Sequence, residues 1–175
     1  ALTTGTCSIF VCLVAREAYD TAVLAPMFVV MSFAYGLAIY LLVLMFSFAL
    51  DDRPIGPAIL KRLKNLLALF VSAILYFTLV YHLSRLYVAK NGAIETFLLL
   101  DGGVYTAIFW IGWILFGSLV PLGILYHPQL SKSRDWVAAA AGLVILGGLS
   151  AMYVIIVGSQ AYPQDMFPGQ TVLEF

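Results

Sequence analysis

Thr78, Tyr81, His82 and Arg85 follow one another at spacings of three, one and three residues. On a helix that turns about 100° per residue they share roughly one third of the circumference, and so form a single polar stripe. A phenol, an imidazole and a guanidinium on one face can hydrogen-bond a polar guest or pass protons. Asp101, expected at the same end of the next span, is a carboxylate able to join them. From Leu66 to Tyr81 the same stretch has no charge, and an ionisable group within a membrane span is costly, so function is its default reading. The structural alternative stays open: Arg85 and Asp101 at the interface, snorkelling or pairing, and His82 bonded to a neighbouring backbone.

The element that must carry this stripe is a helix over 64–89, long enough at about 1.5 Å per residue to cross a bilayer core of roughly 30 Å. Three more spans are expected at 24–50, 104–126 and 136–160. The fold class is therefore all-α, an integral membrane four-helix bundle. DDRPIGP at 51–57 and HPQLSKSRD at 127–135 are short loops, while 91–103 is longer and partly apolar, with 94–100 expected as a short helix lying on the membrane surface. Pro121 falls inside the third span and should kink it. Gly36, with Ser32 and Tyr40, marks a packing face on the first span. Gly142, Gly147 and Ala151 do the same along the fourth, as small residues at helical spacing let backbones approach. Residues 1–23 form a segment with a short interfacial helix, and 161–175 an extended tail. Arg16, Glu17 and Asp20, with Tyr162 and Asp165 in the tail, are the candidate partner contacts.

Composition agrees with that class. Of 175 residues 63% are hydrophobic and 10% charged, with mean hydropathy +1.01, which excludes a soluble domain; the apolar runs are too long for a β-barrel. Formal net charge is zero, so no nucleic-acid partner is implied. Cys7 and Cys12 are five apart, neither a redox pair nor a zinc spacing. No metal site is expected. The sequence begins at Ala1 and reads as a processed or partial chain.

Orientation follows from Lys and Arg. Arg53, Lys61, Arg62, Lys64, Lys132 and Arg134 lie on the side of the two short loops, against Arg16, Arg85 and Lys90 on the other. The positive-inside bias puts the short loops in the cytoplasm and the N-terminal segment, the 91–103 connection and the tail outside, which in a bacterium is the periplasm.

Three segments carry a family resemblance: AREAYDTAVLAPMFVVMSFAYGLA at 15–38, LLLDGGVYTAIFW at 98–110 followed by Pro121, and MYVIIVGSQAYPQDMFPG at 152–169. Together they resemble the NrfD-type membrane subunits, the polysulfide reductase anchor family, and within it the DsrP-type branch of sulfite-reduction-associated complexes. The resemblance covers the second half of a member, whose two four-helix bundles lie in one chain. It implies a haem-free inner-membrane subunit exchanging electrons between menaquinone or another quinone and a periplasmic ferredoxin-like iron–sulfur subunit. Other membrane and cytochrome subunits, and membrane lipid, complete the implied partners. The family's quinone pocket is built mainly from the first bundle. Many members have an Arg shortly before the Gly-x-Gln matched here by Gly158 to Gln160, where this chain has Met152 and Tyr153.

On that background Tyr81, His82, Arg85 and Asp101 are the candidate quinone or proton-path residues, and the chain catalyses nothing alone. His82 and His127 stand at opposite depths, so they cannot share one haem iron. Two alternatives remain: a structural anchor for partner subunits without its own quinone site, and half of a secondary transporter, which would require a polar cavity at mid-membrane.

Overall fold

The structure, a computed structural model, describes residues 23–50, 56–87, 95–130 and 133–158. Arg16, Glu17, Asp20, Tyr162, Asp165 and both cysteines lie outside the described residues. The described elements are all helical. Helix α1 is Leu24–Leu50 and α2 is Pro57–Tyr87. A short helical segment at 95–101, α3, ends in a π-turn over Phe97–Asp101. Helices α4 (Val104–Tyr126) and α5 (Arg134–Gly158) complete the chain. Four of these helices, of 23 to 31 residues, are long and apolar enough to cross a membrane.

Helix α2 starts seven residues before the expected position 64. Gly56 offers its carbonyl to the N–H groups of Ile59 and Leu60 (3.1 and 3.3 Å), and Pro57 has no N–H to leave unpaired in a first turn. Lys61 and Arg62 thus belong to the helix itself rather than to the loop before it.

The four long helices close a ring in which α1 meets α2 and α5, and α4 meets α5 and α2. The interior has two layers. Ala38, Leu41, Leu67, Val71, Val137 and Val144 fill one end. Met27, Met31, Tyr81, Leu98, Phe109 and Trp113 fill the other. Large apolar residues such as Val43, Phe46 and Leu146 are more than half exposed on the outer surface, as lipid-facing positions are.

Helices α4 and α5 approach most closely at Gly117 and Gly147, where a Cβ on either glycine would overlap the backbone of the other. Two of the expected packing glycines do not pack within this ring. Gly36 is exposed and Gly142 half-buried, and a Cβ on either would meet nothing within 4 Å. The buried face of α1 runs instead through Met27, Met31, Ala34, Ala38 and Leu41, and that of α5 through Val137, Ala140, Ala141, Val144, Gly147, Gly148 and Ala151.

Pro121 is buried inside α4, and the chain meets it with a widened coil: a π-helix over Ile108–Leu119 precedes the proline, and α-helix resumes over Val120–Tyr126. The Val120 N–H bonds the carbonyl of Leu115, five residues back, so the hydrogen-bond register has already shifted before the residue that lacks an N–H. Phe109, Trp113 and Gly117, four apart, share the buried face that results.

The 94–100 segment, expected as a short surface helix, packs in its described part against the bundle interior. Glu95 and Leu98 are buried and Leu98 belongs to the core beside Tyr81, Phe109 and Trp113. Two side chains of α4 hold it there: Thr106 Oγ1 donates to the carbonyl of Leu98 and Trp110 Nε1 to that of Leu99, each at 3.1 Å. Gly103 turns the chain from α3 into α4 at φ 53°, a left-handed conformation that glycine adopts without strain.

Candidate functional site

The stripe on α2 faces inward. Thr78, Tyr81 and Arg85 are buried, and His82 keeps only 12% of its side-chain surface exposed. Thr78 returns its hydroxyl to the carbonyl of Ile74 (2.8 Å) and so spends its donor on its own helix. Of the next three residues, His82 and Arg85 converge on a carboxylate from outside the helix and Tyr81 supports Arg85.

That carboxylate is Glu95, which is fully buried. Its Oε1 lies 2.6 Å from Arg85 Nε, and its Oε2 lies 2.7 Å from His82 Nδ1. Arg85 also donates from Nη1 to the Tyr81 hydroxyl (2.7 Å), with its guanidinium carbon 5.3 Å from the centre of the Tyr81 ring. One acid is thereby held between two bases, and the guanidinium is anchored by a phenol. Arg85, 1% exposed, is not snorkelling to an interface, and His82 is bonded to a carboxylate rather than to a backbone group.

The contact orients the histidine ring: a carboxylate accepts hydrogen bonds, so with Glu95 in that form Nδ1 is the ring's donor and Nε2 its acceptor. Among the described residues Nε2 is buried without a hydrogen-bond partner, and so is the indole Nε1 of Trp113. Each such group costs about 1–3 kcal/mol when left unsatisfied. The two rings are in edge contact, their centroids 6.4 Å apart, and Phe109 packs against both.

In front of His82 an apolar groove of about 440 Å³ opens sideways between α2, α3 and α4. Leu75, Leu79, Leu83, Leu99, Phe109 and Trp110 line it along with the His82 ring. Leu79 and Leu83 are more than half exposed, so the open side of the groove lies on the outer surface of the four-helix ring.

Of the residues expected to carry chemistry, Tyr81, His82 and Arg85 come together. The side chain of Asp101 lies outside those described, although its backbone closes α3. Sequence reasoning missed Glu95. Its signal was available: a lone acid in the apolar run ETFLLL, just after a helix ending in a base that would otherwise be buried alone. His127 is elsewhere, its exposed Nδ1 accepting from the N–H groups of Gln129 and Leu130 at 3.3 and 3.4 Å after α4. Among the described residues no three His, Cys, Asp or Glu side chains gather as a metal donor set.

Comparison with known proteins agrees with the architecture. Over 169 residues the chain is 28% identical to the Hdr-like menaquinol oxidoreductase integral membrane subunit of Archaeoglobus fulgidus, in a match that covers 94% of this chain and 42% of the relative. It is 29% identical over 160 residues to a selenate reductase subunit of Mesobacillus selenatarsenatis, covering 91% of this chain and 36% of the relative. The chain therefore spans about two fifths of the length of these relatives. No solved structure matches it. The family described as polysulphide reductase, NrfD, matches residues 1–164, and with its four membrane-crossing helices the chain is an integral membrane protein that belongs to that family.

Proposed function

We propose that the chain is part of a quinone-interacting membrane subunit of a respiratory sulfur-redox complex. It exchanges electrons between menaquinone or its quinol and an iron–sulfur partner subunit, with proton transfer at the buried cluster of α2 and α3. The observation that carries this reading is Glu95, wholly buried between Arg85 and His82 of a candidate membrane span. An ion pair there is weak evidence for stability, because burying the charges costs as much as their attraction returns. Its retention in a span is the mark of ion or proton handling. The likeness to the Archaeoglobus menaquinol oxidoreductase subunit supports quinone as the redox partner. The membership in an anchor family supports a separate subunit as the electron carrier.

In this reading Arg85 and His82 hold Glu95 from either side, Glu95 orients the His82 ring, and the ring passes the proton that accompanies an electron. The charge bias of the loops supports placing this end of the bundle outside the cytoplasmic membrane.

The test is quinol-linked turnover of the whole complex carrying His82→Ala or Arg85→Ala, beside reduction of the partner by an artificial donor. The expected result is a loss of about 10²-fold in the quinol-linked rate with the artificial-donor rate kept. Unchanged quinol-linked turnover in both variants would leave these helices as an anchor and overturn the proposal.

A further inference from the structure

We propose that the start of α2 holds an anionic phospholipid on the outer surface of the ring, its phosphate between Lys61 and Arg62 and its acyl chains along the apolar face beyond them. The proposal is independent of the functional reading and concerns the end of α2 opposite the His82–Glu95–Arg85 cluster. Its first support is where the helix begins. Because α2 starts at Pro57, Lys61 and Arg62 stand in its second turn, on regular helical backbone rather than in a loop, and inside the candidate span Ala58–Tyr87. Both are exposed, and among the described residues neither meets a carboxylate.

The second support is direction. At about 100° per residue Lys61, Arg62, Asn65, Leu69 and Tyr76 fall within roughly 100° of one another. All five are exposed, Leu69 and Tyr76 by 57% and 64%, while Leu67, Val71 and Ile74 turn into the core. The two cations therefore point where the exposed apolar side chains point, away from the bundle. Arg62 lies about 6 Å along the axis before Leu66, where the uncharged stretch begins, which is the depth of a phosphate beside a hydrocarbon core. From Leu66 to Tyr76 the same face runs on for about 15 Å, the length of one leaflet of a core of roughly 30 Å. An ammonium and a guanidinium on long stems can close on one phosphate, the guanidinium with two parallel hydrogen bonds.

The third support is charge. The side of the two short loops holds six Lys and Arg against Asp51, Asp52 and Asp135, so an anion is favoured there. An acidic protein segment would answer the cations but leave the apolar face beyond them bare. An anionic phospholipid answers both.

The experiment uses the intact complex and two readouts: its thermal midpoint in nanodiscs of phosphatidylcholine with and without phosphatidylglycerol, and its binding of added phosphatidylglycerol by native mass spectrometry. One variant combines Lys61→Gln with Arg62→Gln. A second, Lys61→Arg with Arg62→Lys, keeps both charges. A third, Arg134→Gln, removes an exposed cation at the start of α5. The site predicts that phosphatidylglycerol raises the midpoint of the unaltered complex, of the charge-keeping variant and of Arg134→Gln. In the double glutamine variant its binding should weaken about tenfold and the rise should be lost, with the midpoint in phosphatidylcholine alone unchanged. Equal binding by that variant and the unaltered complex overturns the site. So does an equal loss in Arg134→Gln, which would mean diffuse attraction to that end of the bundle. Release of a protein subunit from the double glutamine variant, with lipid binding unchanged, would make the occupant a polypeptide and overturn the proposal as well.

Discussion

Replacing Glu95 with Gln keeps its size and removes the charge that Arg85 and His82 share. A buried cation robbed of its carboxylate costs about 3–5 kcal/mol, so Glu95→Gln should lower the thermal midpoint of the purified complex and abolish quinol-linked turnover. Changing Arg85 and Glu95 together to Met tests which effect matters. Apolar replacement of a whole ion pair is near neutral for stability, so the double variant should recover the thermal midpoint without recovering turnover. Normal turnover in that variant would make the cluster structural. The sequence exposes half of this arrangement. Tyr81, His82 and Arg85 are legible because a rigid 3.6-residue period puts them on one face. Glu95 is not, since the nine residues between it and Arg85 leave its approach to tertiary packing, and an apolar run with a single acid also suits an interfacial helix.

At the scale of the helices, the two glycine classes should behave oppositely. A side chain at Gly147 must overlap the backbone of Gly117, and backbone, unlike a flexible side chain, yields only if α4 and α5 part. Gly147→Val is expected to cost at least about 1–3 kcal/mol and to reduce the yield of monodisperse protein in detergent. Gly36→Ala should leave that yield unchanged or raise it, because the added methyl meets nothing and alanine is the better helix former. Helix existence and much of the span boundaries were readable from apolar length. The packing phase was not: α1 is apolar on every side and α5 is rich in small residues throughout, so several registers satisfy the same pattern. Pro121 signalled a disturbance in α4, but a proline's lost hydrogen bond can be met by a kink or by a register shift. The long π-helix before it is a choice made by the packing of Phe109, Trp113 and Gly117.

For the molecule as a whole, the ring of four helices leaves the acid–base cluster at one end and the basic residues Lys61, Arg62, Lys64 and Arg134 at the other. The positive-inside bias then predicts that a phosphatase reporter fused after Gly102 is active outside the cytoplasm and one fused after Gln129 is inactive. The reverse pattern would invert the proposed topology. Because the chain spans about two fifths of the relatives it matches, the rest of such a protein has room for a quinone pocket. What this portion contributes is therefore decided by where a quinol stands in the assembled complex. The measurement that tests this most directly is a structure of the whole complex in its native lipid with quinol bound. The account predicts a quinol headgroup at the end of the bundle that holds the His82–Glu95–Arg85 cluster, with those contacts intact. A headgroup held wholly outside these helices, with no proton path leading to Glu95, would contradict it.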